Sequence, residues 1–184
     1  MADRPLRADA RRNREQILTA ATGAFAERGP ATSLEDIARE AGVGIGTLYR
    51  HFPTRDALFV AVHRAEIVRI AERGDELLAS HEPRLALEGW LVEFLEFMHS
   101  KRGMAEVFRS VMSSGENPFL DLRAETTAAA ERLLRAARED GAAVEIDAFD
   151  LLTTLHGISL ATDDPDRTAR LLRFLAHSLT GKYN

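Results

Sequence analysis

The sequence predicts an all-α protein of nine helices in two parts, a three-helix head and a helical body. Apolar residues recur at intervals of three and four along most of the chain, which is the period of an amphipathic helix. Residues that favour the two ends of helices stand between these segments, and strand-like alternation is missing. At 184 residues the chain is long enough to bury a sizeable core.

Three helices are predicted in the head. They cover residues 11–28, 34–41 and 45–52. Gly29-Pro30 ends the first and Gly42 the second, because glycine adopts the left-handed backbone that closes a helix. The third is short and stops before Pro53.

The start of the second helix has two possible N-caps. Thr32 with Glu35, and Ser33 with Asp36, both have the spacing of a capping box, in which a hydroxyl and an acidic side chain satisfy free N–H groups. The sequence predicts a helix start here and leaves the choice between Thr32 and Ser33 open.

Six further helices are predicted in the body. They cover residues 55–80, 83–101, 103–112, 119–140, a segment that starts at the Asp147 cap, and 165–179. Thr54, Asp147 and Asp164 are their candidate N-caps, and Pro165 suits the first turn of the last helix. We divide the chain into a head of residues 11–70, with a helix-turn-helix at 33–52, and a body of residues 71–184.

The stretch "AREAGVGIGTLYRHFPTRDAL" places glycines at 42, 44 and 46. A dinucleotide-binding loop would need G-x-G-x-x-G directly after a strand, whereas this stretch follows a predicted helix. A helix-turn-helix needs two short helices joined by a tight turn that often contains glycine. The second interpretation fits more of these residues.

In a helix-turn-helix, the outer face of the third helix would meet the major groove of DNA. Thr47 can contact a base or a phosphate, Ile45 a thymine methyl, and Tyr49 and His51 phosphate oxygens, while Gly46 lets the backbone approach closely. The candidate contacts of this face are Gly44, Ile45, Gly46, Thr47, Tyr49, Arg50 and His51.

The head is also the basic part of an acidic chain. Residues 1–55 carry a balance of +2 within a net charge of −5. Arg11, Arg12 and Arg14 fall in the first turn of the predicted first helix, where the helix dipole disfavours each positive charge by about 0.3–1 kcal/mol. A polyanionic partner would explain this placement, and Arg4 and Arg7 extend it into an N-terminal arm.

Composition excludes several other classes. Without cysteine the chain has no disulfide, zinc–thiolate site or cysteine nucleophile. Neither a signal peptide nor a membrane-spanning run is present, so we expect a cytoplasmic protein. A di-metal helical bundle needs two Glu-x-x-His pairs, and only Glu96 with His99 forms one. We therefore predict no enzyme activity, cofactor or metal; a helical adaptor for a protein partner remains the alternative.

The stretch "REQILTAATGAFAERGPATSLEDIAREAGVGIGTLYRHFPTRDALFVAV" closely resembles the N-terminal domain of the tetracycline-repressor (TetR) family of transcriptional regulators. The matching positions are Ile17, Ala21, Phe25, Gly29, Ile37, Ala38, Gly42, Val43, Gly46, Thr47, Leu48, Tyr49, Phe52 and Leu58. The resemblance implies a homodimer that binds a palindromic DNA operator and responds to a small-molecule effector. It also adds Ser33 or Leu34 as a DNA contact and Arg55 as a phosphate contact.

The body carries a candidate effector pocket rich in aromatic and methionine side chains. Each of them also fits an ordinary core, but as a group beside a loop they suit an adaptable apolar pocket, and the resemblance favours a pocket here. The candidates are Trp90, Phe94, Phe97, Met98, Met104, Phe108, Met112 and His156. The predicted eighth helix is apolar over much of its surface, so we predict a dimer interface formed by the last two helices. Its candidate residues are Leu152, Leu155, Leu171, Phe174 and Leu175.

Overall fold

A computed structural model describes residues 3–29, 31–101, 120–142 and 145–180, which form eight α-helices and no strand. The helices are α1 (Asp3–Arg28), α2 (Leu34–Glu40), α3 (Ile45–His51), α4 (Arg55–Ser80), α5 (Pro83–Ser100), α6 (Leu120–Glu139), α7 (Ala148–Ala161) and α8 (Pro165–Thr180). The all-α class is confirmed. The predicted helix over 103–112 lies outside the described residues.

The chain forms two compact units. One extends to Ala65 and the other begins at Glu66, five residues before the predicted boundary between head and body. The change of unit falls inside α4, so this one helix contributes residues to both.

The core of the first unit is formed by α1, α2, α3 and the first half of α4. Its buried side chains are Ile17, Ala21, Ala24, Phe25, Leu34, Ile37, Ala38, Ala41, Leu48, Phe52, Leu58, Phe59 and Val62. The turn between α2 and α3 depends on Gly42, whose φ of 68° lies in the left-handed region that side chains with a Cβ rarely adopt. The Val43 amide then donates to the Ala38 carbonyl at 3.0 Å and closes the turn.

α1 begins at Asp3, eight residues before the predicted start. Pro5 does not prevent this, because the N–H groups of a first helical turn have no intrahelical partner to lose. Two expectations change as a result. Arg4 and Arg7, predicted in a flexible arm, lie on a helix, and Arg11, Arg12 and Arg14 lie beyond its first turn. The predicted placement of those three arginines in the first turn, against the helix dipole, was therefore wrong.

Ser33 is the N-cap of α2, which settles the choice with Thr32. Its Oγ accepts a hydrogen bond from the Asp36 amide at 3.0 Å. Thr32 instead donates its hydroxyl to the Gly29 carbonyl at 2.8 Å, inside the preceding turn. The predicted caps of α4, α7 and α8 are confirmed by hydrogen bonds that Thr54, Asp147 and Asp164 accept from amides of the next turn.

The core of the second unit is built around α5, which packs against α6, α7 and α8. Trp90 on α5 is fully buried, and its indole N–H donates to the Ile70 carbonyl of α4 at 2.8 Å. Arg73 of α4 forms two hydrogen bonds with the Glu93 carboxylate of α5, at 2.9 and 2.7 Å. α4 and α5 are thus joined by core packing and by polar contacts. Over the described ranges, no helix is long and apolar enough to cross a membrane.

Candidate nucleic-acid interface and effector cleft

α3 buries one side chain and presents the others outward. Leu48 is fully buried, while Ile45 and Tyr49 are 37% and 45% exposed. Gly44, Gly46 and Arg50 are exposed, and Thr47 and His51 are half-buried. The seven residues of α3 include Arg50 and no acidic residue, so this face suits a negatively charged partner.

The end of α3 is held by α1 through an aromatic contact. Phe52, the C-cap of α3, is 3% exposed, and the Arg14 guanidinium lies 5.4 Å from the centre of its ring. A guanidinium over an aromatic face is attracted by the ring quadrupole. Arg14, predicted as part of a basic cluster, therefore also helps to position α3.

The start of α2 offers backbone groups more than side chains. Leu34 is 6% exposed, so the side chain predicted as a possible DNA contact belongs to the core. The first amides of α2 have no intrahelical acceptor and can meet an anion. The hydrogen bond with Ser33 is the largest cause of a lowered pKa of Asp36, and the hydrogen bond with Arg39 is the second.

Arg55 occupies a structural position at the start of α4. Its Nη1 donates to the Thr32 carbonyl at 2.6 Å, which ties α4 to the turn that precedes α2. The side chain is half-buried and so retains an exposed portion. Arg11, by contrast, is exposed and lies 3.7 Å from Glu15. The side chains of Arg4 and Arg7 are outside what the structure describes.

A cleft of about 360 Å³ lies between α5, α6 and α7 in the second unit. Its walls are mainly apolar, with four polar side chains. It is lined by Phe94, Met98, Arg123, Thr126, Phe149, Leu152, Thr153 and His156. We call it the effector cleft. Three predicted pocket residues, Phe94, Met98 and His156, line it.

Other predicted pocket residues lie elsewhere. Trp90 does not line this cleft, because the helices around α5 enclose it completely and the Ile70 carbonyl satisfies its N–H. Phe97 is half-buried beside Phe94, with ring centres 6.2 Å apart. Three candidates fall outside the described residues, namely Met104, Phe108 and Met112.

The sequence reasoning missed Arg123 and Phe149. The Arg123 guanidinium lies 4.6 Å from the centre of the Phe149 ring, at one wall of the effector cleft. Nothing in the local pattern joins these residues, because they stand on different helices. The available signal in the sequence was a large apolar residue two positions after the predicted cap at Asp147, and in the structure this Phe149 ring is 52% exposed.

The predicted dimer residues divide into three groups. Phe174 and Leu171 on α8 are 76% and 38% exposed, so they remain available for a partner copy. Leu155 is fully buried and Leu175 is 9% exposed, so both belong to the core of this chain because they face its own helices. Leu152 is half-buried at the effector cleft. Leu160 at 69% exposure adds an apolar side chain that the prediction omitted.

Comparison with known families gives two matches along the chain. Residues 17–62 match "Bacterial regulatory proteins, tetR family", and residues 82–181 match "Transcriptional regulator SbtR-like, C-terminal domain". An HTH-type transcriptional repressor of Mycobacterium tuberculosis is 57% identical over 47 residues. That alignment covers 25% of this chain and 25% of the repressor, so the chain matches only a quarter of that relative's length.

Two crystal structures are similar over nearly their whole length. A TetR transcriptional regulator from Streptomyces coelicolor is 40% identical, with a TM-score of 0.80 and coverage of 90% of this chain and 97% of that one. A TetR transcription regulatory protein from Mycobacterium vanbaalenii is 31% identical, with a TM-score of 0.76 and coverage of 95% and 99%.

Proposed function

Because this chain belongs to the TetR family of transcriptional regulators, with its DNA-binding helix-turn-helix, we propose that it is a ligand-responsive repressor. It would bind a palindromic operator in the cytoplasm as a homodimer and leave that operator when a small, largely apolar effector binds. The family is one of regulators and not of enzymes.

The observation that carries this proposal is the outward face of α3. Leu48 anchors the helix in the core. Tyr49 and Arg50 are exposed and Thr47 is half-buried, so these three side chains lie on the remaining faces of the helix. Arg50 supplies a base or phosphate contact, and Tyr49 and Thr47 supply hydroxyl donors. The short, non-acidic helix can enter a major groove without repulsion from its own charges.

A homodimer would place two copies of α3 on one duplex. The exposed apolar side chains Leu160, Leu171 and Phe174 on α7 and α8 supply a surface that a second copy would cover. Two-fold symmetry makes such a contact self-complementary, and it requires a palindromic operator. The half-sites would lie about 34–36 Å apart, one turn of B-DNA.

The effector would act through α5. Phe94 lines the effector cleft and stacks on Trp90 at a ring-centre distance of 5.1 Å, and Trp90 is hydrogen-bonded to α4. A ligand in the cleft would therefore displace a helix that is joined to α4, which also contributes to the DNA-binding unit. The ligand shifts the equilibrium only as far as it prefers the displaced state. Arg123 and His156 would meet the polar end of the ligand.

Fluorescence anisotropy with labelled genomic fragments tests DNA binding. We expect salt-sensitive, site-preferring binding, and Tyr49→Ala should weaken it while leaving the fold intact. Arg135→Ala, an exposed change on α6, is the matched control. Uniform weak binding to every fragment, or none, would count against the regulator proposal and favour a protein partner for the head.

A second test concerns Arg55. Arg55→Ala should weaken binding similarly on all sequences, because a phosphate contact carries no sequence information, and should reduce the slope of log K against log salt by about 1. The measurement is a salt titration of the same complexes. An unchanged slope with a loss of stability would assign Arg55 a structural role, to which its hydrogen bond with the Thr32 carbonyl contributes, and no phosphate contact.

A further inference from the structure

α5 borders a second cleft on another of its sides. This cleft has a volume of about 420 Å³ and lies between α5, the loop before α8 and the first half of α8. It is lined by Val92, Leu95, Glu96, His99, Asp163, Pro165, Thr168, Ala169 and Leu172. We call it the α5–α8 cleft. It shares no lining residue with the effector cleft.

Helical geometry separates the two clefts along α5. At 100° per residue, Val92, Glu96 and His99 fall on one side of the helix, while Phe94 and Met98 fall on another. The exposed apolar side chains of α8 are separated from the α5–α8 cleft in the same way. Leu171 and Phe174 project from a different side of α8 than the cleft residues.

The two clefts differ in the charge of their walls. Among the described residues, the effector cleft is lined by the base Arg123 and by no acid. The α5–α8 cleft is lined by two carboxylates, Glu96 and Asp163, and by neither lysine nor arginine. Glu96 is exposed and makes no hydrogen bond or ion pair within the described ranges, so its carboxylate is open to the cleft and the solvent.

A buried hydroxyl on the wall also points to a ligand. Thr168 is 8% exposed and lines the cleft, and its Oγ1 has no hydrogen-bond partner in the described part of the chain. Leaving a buried polar group unpaired is unfavourable, and native structures hold few such groups. A ligand with a hydrogen-bonding head would satisfy it after a rotation of the threonine side chain.

We propose that the α5–α8 cleft is a binding site for an organic cation, a protonated amine on an apolar body. Leu95, Leu172 and Ala169 would enclose the apolar part, because they give the cleft its hydrocarbon walls. Glu96 and Asp163 would accept hydrogen bonds from the ammonium group, which are stronger than those between neutral groups. This site is separate from the effector cleft, and its occupation does not require DNA.

A metal ion is a poorer occupant of the same walls. The described residues contain no group of three or more histidine or acidic side chains close enough to hold one. A divalent cation needs several oxygen ligands at short range, whereas an ammonium group needs two or three acceptors and gains from apolar surroundings. The mainly hydrocarbon lining therefore favours the amine.

Isothermal titration calorimetry of the full chain with octylamine tests the proposal, in the absence of DNA. Octanol, the neutral analogue of equal length, separates charge recognition from apolar adhesion. We expect saturable octylamine binding, and octanol should bind at least about tenfold more weakly because it lacks the charge-assisted hydrogen bonds. Equal affinity for the two compounds, or no saturable heat with octylamine, would overturn the site.

Variants then locate the binding. Glu96→Gln should weaken octylamine binding about tenfold, and Glu96→Gln combined with Asp163→Asn should weaken it further. Glu131→Gln, an exposed change on α6 outside both clefts, is the control and should bind as the unmodified chain does. Unchanged affinity in Glu96→Gln, with an unchanged circular dichroism spectrum, would overturn the assignment.

The result is distinguishable from a failure of the proposed function. DNA binding is measured by anisotropy on separate samples, and the amine site predicts no dependence of octylamine affinity on Tyr49→Ala. Arg123→Gln, in the effector cleft, should likewise leave octylamine binding unchanged. If Arg123→Gln weakened it as much as Glu96→Gln, the two clefts would not be separate sites and the proposal would fail.

Discussion

α3 and α5 both offer side chains to a partner, but the chain holds them in place in different ways. α3 has seven residues, of which Leu48 alone is buried. α5 has eighteen residues and buries six of them. The first is a short helix fixed by one anchor and a cap, and the second is the centre of a core with a cleft on each of two sides.

This difference determines how each surface is encoded. All the exposed residues of α3 lie within one short segment between Gly44 and Phe52, so their spacing alone defines the surface. The clefts beside α5 combine its residues with Arg123, Phe149 or Asp163, which are distant in sequence. A recognition surface built from one segment can therefore be predicted from the local sequence, whereas a cleft built from several helices depends on how those helices pack.

The largest expected effect comes from removing the anchor of α3. Leu48→Ala should lower the free energy of unfolding by about 2–5 kcal/mol, because it leaves a cavity in the core of the first unit. Tyr49→Ala, at the next position, should change it by less than about 0.5 kcal/mol, since that side chain is exposed. Urea unfolding followed by circular dichroism measures both. Similar losses for the two variants would show that α3 is not held by a single side chain.

A smaller effect is expected inside the second unit. Trp90→Phe removes the indole donor to the Ile70 carbonyl and part of the buried ring, and it should cost about 1–3 kcal/mol of unfolding free energy. Leu85→Ala, which is 56% exposed on the same helix, serves as the control. Equal stability of Trp90→Phe and the unmodified chain would mean that the hydrogen bond to α4 is dispensable.

The smallest effect concerns the ion pair of α4 with α5 and its pH dependence. Hydrogen bonds from Arg73 lower the pKa of Glu93 in the folded chain. The pair therefore stabilises the fold fully above the unfolded pKa, about 4.3, and this contribution is lost as pH falls through the lower folded value. Glu93→Gln should remove that part of the pH dependence.

Thermal unfolding between pH 3 and 7 measures this contribution of the Arg73–Glu93 pair to the pH dependence of stability. The difference in midpoint between the unmodified chain and Glu93→Gln should shrink as pH falls below about 4.3. Glu131→Gln, which is exposed, should run parallel to the unmodified chain over the whole range. A difference that grows in acid would reverse the assigned sign.

Helix ends were the most predictable feature of the fold because they depend on neighbouring residues. α4 begins at Arg55 and ends at Ser80 as predicted, and Asp147 caps α7 through the Asp150 amide. The start of α1 was missed because the first residues lack an apolar stripe. Apolar periodicity therefore could not predict this first part of α1, because that pattern arises only where a helix packs against a core.

The candidate sites show the same difference between features that depend on neighbouring residues and features that depend on the packing of helices. In α3, Ile45, Tyr49 and Arg50 are exposed as the predicted outer face requires, while Leu34, offered with Ser33 as a possible DNA contact, has a buried side chain. Leu155 could not be separated from Leu171 by composition, because only packing decides which side of an apolar helix faces its own chain. The α5–α8 cleft gave no sequence signal, since Asp163 looks like an ordinary loop residue until α8 folds back beside α5.

α5 forms a wall of both the effector cleft and the α5–α8 cleft, and this shared wall limits how the shape of either cleft can change. A substitution that rotates or shifts this shared wall to enlarge one space alters the other at the same time. Two occupants would therefore influence each other's affinity, and thermodynamic linkage makes the two factors equal. Evolutionary change in the ligand specificity of one cleft would be constrained by the ligand that the other cleft must still bind.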